Sequence, residues 1–259
     1  MSSQAAIGID IGGTGIKGAV VDVATGVLLS DRVKLPTPKG GRPADIIETT
    51  RSILATVEAA AGAMKLPVGI CFPAIVKHGR TMSAANVSNK WIGLAAEDLF
   101  STGLGVPITF VNDADAAGYA ESQFGAARGV AGVVILTTLG TGIGTALLND
   151  GVLVPNTELG HLQIDGVDYE TKASFSAKER ENLSWSAWAA RLQKYYRELE
   201  ALFSPDLFVV GGGVSKHHAD FLPLLSLDTP IMPAVHKNNA GILGAAALAS
   251  TDIASRAAA

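Results

Sequence analysis

The chain has 259 residues, 20 Lys and Arg against 24 Asp and Glu, and one cysteine, Cys71. That length allows one large domain or two ordinary ones, and the lone cysteine excludes an intrachain disulfide framework and any zinc site needing two thiolates from this chain. An apolar fraction of 48% and a mean hydropathy of +0.31 exclude disorder, no apolar run reaches the ~18–20 residues of a membrane span, and a net charge of −4 argues against a dedicated nucleic-acid binder.

The first six residues carry no basic region followed by an apolar run. No signal peptide is read there, so a reducing cytoplasm is expected. From Ala5 the chain reads as a β-meander. Ala5–Ile11 and Ile16–Val23 flank a glycine turn, and Val27–Val33 is the third strand. A Gly/Pro loop over 36–43 leads to a predicted helix over 44–64, with Ile46, Ile47, Ile53, Leu54 and Val57 at helical spacing. Val68–Ala74 reads as a buried strand, 79–91 as a polar loop, and 107–111 as a short strand entering a helix over 114–124. A second strand–turn–strand unit spans 132–148. A helix over 184–202, a buried strand over 207–210 and an Ala-rich helix over 239–250 complete the chain, with a frayed tail expected after Thr251.

The two strand–turn–strand units are related. Gly13-Thr14-Gly15-Ile16 recurs as Gly140-Thr141-Gly142-Ile143 after a shift of 127 residues (140 − 13). We read the chain as a duplicated α/β protein of two lobes, each opening with a Gly-Thr hairpin. The expected boundary lies between residues 108 and 109, with the C-terminal helix packing back on the first lobe. On the same shift, Thr137 replaces Asp10 and Gly144 replaces Lys17.

Gly13-x-Gly15-x-x-Gly18 satisfies a dinucleotide-binding pattern on paper, but that pattern needs a helix after the glycines and Ala19–Val23 reads as a strand. What remains is a hairpin tip over Gly12, Gly13, Thr14 and Gly15 that offers backbone N–H groups and a hydroxyl, with Lys17 nearby. Such a nest suits phosphate oxygens. Asp10 before it suits a divalent cation. A plain glycine turn with Asp10 capping it stays open as an alternative. The second copy, with Thr138, Gly140, Thr141 and Gly142, favours two hairpins that grip one polyanion.

Asn112-Asp113 stands where a strand ends and a helix begins, the usual ligand position in open α/β sheets. Asp113 is either a helix cap or a general base for a hydroxyl. Asp115 reads as structural and Glu121 as a helix-surface residue. In Glu158-Leu-Gly160-His161, two ligands do not make a zinc site. Carboxylate and imidazole suit the hydroxyls of a sugar, and Glu170 could join them. Gly211, Gly212 and Gly213 follow a buried strand and suit close approach of a nucleotide; a crowded strand–helix corner is the alternative.

Together these segments resemble the ROK sugar-kinase family within the actin/hexokinase/Hsp70 superfamily. Gly8–Lys17 resembles the first phosphate motif, Asn112–Ala116 the connecting catalytic motif, Leu139–Gly144 the second phosphate motif, Glu158–His161 the sugar motif and Val210–Gly213 the adenosine motif. The resemblance implies a two-lobed actin-like ATPase fold, glucose held between the lobes, and transfer of phosphate to its 6-hydroxyl. It implies Asp113 as base and Asn86, Asn112, Glu158, His161 and Glu170 as sugar ligands. It associates Asp10 with Mg²⁺.

Many members carry a Cys-rich zinc cluster after the Gly-His motif. Here 162–170 has no cysteine, so no zinc is expected. The segment Tyr169–Arg180, leading to Trp185, resembles the zinc-free polyphosphate glucokinases. This implies polyphosphate or ATP as donor and glucose or mannose as acceptor, with no nucleic-acid or membrane partner; a homodimer is compatible with it. The alternatives are an ATP-only glucokinase, a non-catalytic sugar sensor and an actin- or chaperone-like ATPase.

Overall fold

The computed structural model describes residues 5–62 and 64–258. The chain divides into two compact units, residues 1–116 with 239–259, and residues 117–238.

In the first unit, β1 (Ala5–Ile11) and β2 (Gly15–Asp22) form the expected antiparallel hairpin. The third strand of the predicted meander is two short ones, β3 (Val27–Leu28) and β4 (Val33–Pro36), both paired to β2. Helix α1 (Pro43–Ala61) starts on a proline in its first turn, where the missing N–H costs nothing, and stops at Gly62 with φ 75°. Its buried face is Ile46, Thr50, Ile53, Leu54 and Val57, and the Thr50 hydroxyl donates to the Ile46 carbonyl at 2.8 Å, which lets a polar residue sit in the core. Strand β5 (Val68–Phe72) is wholly buried.

The predicted polar loop is more ordered than its composition suggested. It holds β7 (Arg80–Thr81), paired with β6 (Val76–Lys77) just ahead of it, and a 3₁₀ turn over Asn89–Trp91. Trp91 is fully buried. Its indole N–H donates to the Gly41 carbonyl at 2.9 Å, and its ring stacks on Phe100 at 5.5 Å. Phe100 comes from α2 (Ala96–Leu104), a helix the sequence pattern did not suggest. Strand β8 (Ile108–Asn112) runs straight into α3 (Asp113–Phe124).

The sheet order is β3-β2-β1-β5-β8, with β1, β5 and β8 parallel. Because β8 is hydrogen-bonded to β5, it belongs with the first unit. The division therefore falls within α3, between Ala116 and Ala117, rather than ahead of β8.

The C-terminal helix, Ala240–Ala258, extends past the expected end at Ser250. It lies backbone against backbone on this sheet. A Cβ on Gly8 would come within 1.9 Å of the Ile242 carbonyl oxygen, and one on Gly69 within 1.9 Å of that of Ala245. Only glycine allows that approach.

The second unit repeats the plan. Its strands are β9 (Val133–Leu139), β10 (Ile143–Asn149), β11 (Val152–Val154), the small hairpin β12 (Gln163–Ile164) and β13 (Val167–Asp168), β14 (Leu207–Gly211) and β15 (Ile231–Pro233). Between β13 and β15 lie α4 (Glu170–Ala173), α5 (Phe175–Arg180), α6 (Trp185–Phe203) and α7 (His218–Phe221). The main sheet order, β11-β10-β9-β14-β15, follows β3-β2-β1-β5-β8 of the first unit and lacks only a counterpart of β4.

Helix α6 is capped by the Ser184 hydroxyl, which accepts from the Ala187 N–H at 3.1 Å. It buries Trp188, Leu192, Tyr195, Tyr196 and Leu199 against the sheet. Glu121 corrects the expectation of a surface residue. It is fully buried, and its carboxylate accepts from the backbone N–H groups of Ala126, Val235 and His236 at 2.8–3.1 Å. A charge can be buried there because three donors replace its water.

Candidate active site

In the first unit, the carboxyl ends of the parallel strands line up. Asp10 stands opposite Cys71, and Phe72 opposite Asn112. Register therefore sets Asp10, Cys71 and Val111 in one row, and Asn112-Asp113 follow directly at the end of β8. Asp10 also faces Lys17 across the hairpin, and the two form an ion pair at 2.7 Å. Lys17 is thus tied to Asp10 as well as close to the hairpin tip. Burial pushes the Cys71 thiol well up, and the Asp10 and Asp113 carboxylates push the same way. The Cys71 sulfur thus feels both acidic groups. Gly241 of the C-terminal helix backs them; a Cβ there would lie 2.8 Å from Asp10 Cγ.

The tip of the first hairpin is buttressed from two sides. A Cβ on Gly13 would meet Asn86 Cβ at 2.6 Å, so Asn86, itself at φ 60°, packs directly on this tip. The Thr37 hydroxyl donates to the Gly12 carbonyl. A Cβ on Gly15 would meet Lys34 Cε at 2.7 Å.

Asn112, rather than Asp113, supplies the main helix cap. Its Oδ1 accepts from the N–H groups of Ala114 (2.8 Å) and Asp115 (3.0 Å), and its Nδ2 donates to the Ala74 carbonyl at 3.0 Å. One N–H of that amide is left for a ligand. Asp113 is half-buried, with Oδ1 accepting from the Ala114 N–H at 2.9 Å. Asp115 is 1% exposed, as a structural residue should be.

Asp10 gives a hard carboxylate donor near the carboxyl end of β1. Mg²⁺ prefers one or two carboxylates completed by water and substrate phosphates, so Asp10 fits that ion. Among the described residues no cluster of three or more His, Cys, Asp and Glu could hold a metal without such help.

In the second unit, the loop at the equivalent tip is one residue shorter. Residues 12–15 separate the paired Ile11 and Ile16, whereas only 140–142 separate Leu139 and Ile143. Gly144 therefore pairs with Thr138, and Thr138 occupies the ladder position of Asp10. The shift of 127 had placed Thr137 there. Thr137 instead points into the core and shares a 2.6 Å hydrogen bond with the Tyr196 hydroxyl.

The segment after β13 clamps this second tip. Glu170 accepts from the Ile143 N–H at 2.7 Å, and a Cβ on Gly142 would come within 2.4 Å of its Oε2. Ser176 donates its N–H to the Gly140 carbonyl at 3.0 Å and its hydroxyl to that of Thr141 at 2.6 Å. Two residues on, Lys178 Nζ sits 4.2 Å above the Trp185 ring. Lys178 forms no ion pair among the described residues. The role of Ser176 was not foreseen from sequence.

Glu158 and His161 flank a 3₁₀ turn over Leu159–His161. Gly160 is required because its Cβ would sit 2.0 Å from the Ile143 carbonyl oxygen. The Thr145 hydroxyl holds the loop by donating to the Thr157 carbonyl and accepting from the Leu159 N–H. Desolvation raises the Glu158 carboxyl above its usual 4.5; His161 opposes that and Glu170 adds to it. The His161 ring is pushed up, first by its bond to Asp168. Glu158, His161 and Glu170 therefore share one electrostatic neighbourhood.

Gly211 of β14 pairs with Thr138, and Gly212, at φ 81°, would drive a Cβ to 2.4 Å from the Leu139 carbonyl oxygen. Gly213 opens a 3₁₀ turn to His217, and α7 follows from His218. The triple glycine thus adjoins the second hairpin in the same sheet.

The sequence matches the ROK family over residues 6–181. It is 43% identical over 246 residues to a polyphosphate glucokinase of Mycobacterium tuberculosis, covering 95% of this chain and 91% of that protein. An inorganic polyphosphate/ATP-glucomannokinase from Arthrobacter sp. strain KM superposes with a TM-score of 0.90 at 50% identity, covering 97% and 99% of the two chains. A ROK glucokinase from Streptomyces griseus, solved with glucose and AMPPNP, does so with a TM-score of 0.80 at 25% identity, covering 95% and 99%. The chain therefore belongs to the ROK family and has its two-lobed actin-like ATPase fold.

Proposed function

We propose that this protein transfers a phosphoryl group from inorganic polyphosphate or ATP to the 6-hydroxyl of glucose, with mannose as a second acceptor, and that it works in the cytoplasm. The strongest single support is the register of the first sheet. It aligns the carboxyl ends of β1, β5 and β8, with Asp10 near the end of β1 and Asp113 directly after β8. Among the described residues no helix is long and apolar enough to cross a membrane.

Asp113 is the general base. Its carboxylate takes the proton of the sugar 6-hydroxyl as that oxygen attacks the terminal phosphorus of the donor. The new O–P bond forms as the bond to the leaving phosphate breaks, giving glucose 6-phosphate and either ADP or a polyphosphate shorter by one. Phosphoryl transfer needs little covalent help, so orientation and charge neutralisation dominate. Asp10 would hold Mg²⁺, which when bound would neutralise charge on the donor phosphates. Gly12, Gly13, Thr14, Gly15 and Lys17 receive phosphate oxygens from one hairpin, and Thr138, Gly140, Thr141 and Gly142 from the other. Glu158 and His161 bind sugar hydroxyls. Asn86 and the remaining amide N–H of Asn112 add to them, and Glu170 works mainly by holding the second hairpin.

Two features serve the two donors. The triple glycine beside the second hairpin suits a nucleoside. Lys178 suits a longer polyanion, because α5 is anchored to that hairpin through Ser176 and its ammonium lies over Trp185 and forms no ion pair among the described residues.

The test is a coupled assay of glucose 6-phosphate with glucose, Mg²⁺ and either nucleotide-free polyphosphate or ATP. Product from both donors supports the proposal. Product from ATP alone would leave an ATP glucokinase. Product from neither would leave a sugar sensor.

A further inference from the structure

Asp168 makes the one hydrogen bond of the His161 side chain among the described residues. Its Oδ2 lies 2.8 Å from His161 Nδ1. The β12–β13 hairpin makes this contact possible. Its turn uses two left-handed residues, Asp165 at φ 54° and Gly166 at φ 72°, and pairs Asp168 with Gln163, two residues beyond His161. The other carboxylate oxygen, Oδ1, accepts from the Glu170 N–H at 3.2 Å, and the Asp168 carbonyl accepts from the Thr171 hydroxyl at 2.6 Å. Asp168 is thus fixed from its own side before it meets the imidazole.

We propose that Asp168 is a positioning residue for the acceptor sugar: it accepts the Nδ1–H of His161, fixes the ring, and leaves Nε2 as the atom offered to a sugar hydroxyl. A carboxylate cannot donate, so Nδ1 must carry the proton in both the neutral and the charged ring. Glu158 and Glu170 also act on His161 electrostatically. Both His161 and Asp168 are substantially exposed, at 53% and 41%. The value of the pair therefore lies in orientation rather than in stability. The same carboxylate touches the N–H of Glu170, whose side chain holds the second phosphate hairpin. One residue so links the sugar-binding imidazole to the donor-side tip.

This inference rests on the sugar-binding role given to His161, and its test separates the two. The first measurement is ¹⁵N NMR of the His161 ring in the wild-type protein without substrates. The neutral ring should carry its proton on Nδ1. In Asp168→Asn a single carbonyl oxygen faces two N–H donors. If it stays on Glu170, the amide donates to Nδ1 and the proton moves to Nε2. The titration midpoint of His161 should also fall, because the neighbouring charge is gone. Asp168→Asn and Asp168→Ala should both raise the glucose KM roughly tenfold, the loss of one good hydrogen bond, with donor KM unchanged and kcat little altered.

A neutral wild-type ring protonated on Nε2 would overturn the proposal even if the variants misfold. So would an unchanged glucose KM in both Asp168 variants when His161→Ala raises it. If His161→Ala itself leaves the glucose KM unchanged, the sugar-site assignment falls and this inference falls with it.

Discussion

The two Gly-Thr hairpins sit in sheets of corresponding strand order, yet they are surrounded by opposite chemistry. In the first, the ladder pair below the tip is Asp10 and Lys17, charged and bonded to each other. In the second, the same pair is Thr138 and Gly144, neutral and small. The first tip is braced by Asn86 and Thr37 from its own unit, the second by Glu170 and Ser176 from the segment after β13. Both copies keep the hairpin tip, and the carboxylate of the ladder pair is confined to one of them.

The largest expected effect falls on the charged copy. Asp113→Asn keeps shape and removes the base, and should lower kcat by roughly 10²–10⁴, the usual general-base range, with glucose affinity changed far less. Near-normal turnover would remove Asp113 from the chemistry.

A swap sharpens the contrast between the tips. Asp10→Asn should raise the Mg²⁺ concentration needed for half-maximal rate by roughly tenfold. Thr138→Asp should lower the rate with either donor without creating a new metal requirement. If instead Thr138→Asp restored Mg²⁺ dependence to Asp10→Asn, the two tips would be interchangeable and the asymmetry would mean little.

On the acceptor side, Glu158→Gln and His161→Ala should each raise the glucose KM by roughly tenfold, at about 1–3 kcal/mol for an unpaired polar group, and leave the donor KM alone. The Glu158 carboxyl titrates above its usual 4.5 because it is desolvated. Below that raised value it is neutral and cannot accept a hydroxyl as strongly. Wild-type glucose KM should therefore worsen as pH falls through that region, and Glu158→Gln should flatten the dependence. A dependence left intact in Glu158→Gln would point to another group.

The smallest effect concerns donor choice. Lys178→Ala should raise the KM for polyphosphate a few-fold at low salt, and less at high salt where the contact is screened. The ATP KM should move less. Equal changes for both donors would show that Lys178 does not discriminate between them.

Much of this was legible in the sequence, because the Gly-Thr-Gly-Ile repeat and the apolar strands around it are local patterns. The glycine turns, the Asn112-Asp113 strand end and the Glu158–His161 turn could all be found that way. What stayed hidden depends on register and packing. A single shift of 127 could not reveal that the second loop is shorter, so Thr137 stood in for Thr138. Asn112 as the helix cap needed the turn geometry of β8 into α3. Glu121 looked like a surface residue because its three backbone donors are spread from Ala126 to His236. Trp91 lay in a polar stretch whose order comes from packing on Phe100 and a bond to Gly41. Asp168 reaches His161 only because a two-residue hairpin folds it back.

The most direct test of the central claim is ³¹P NMR of the purified protein with glucose, Mg²⁺ and nucleotide-free polyphosphate. The account predicts a growing glucose 6-phosphate signal matched by loss of polyphosphate, abolished on the same timescale by Asp113→Asn. Release of free orthophosphate with no sugar phosphate, or equal turnover by Asp113→Asn, would contradict it.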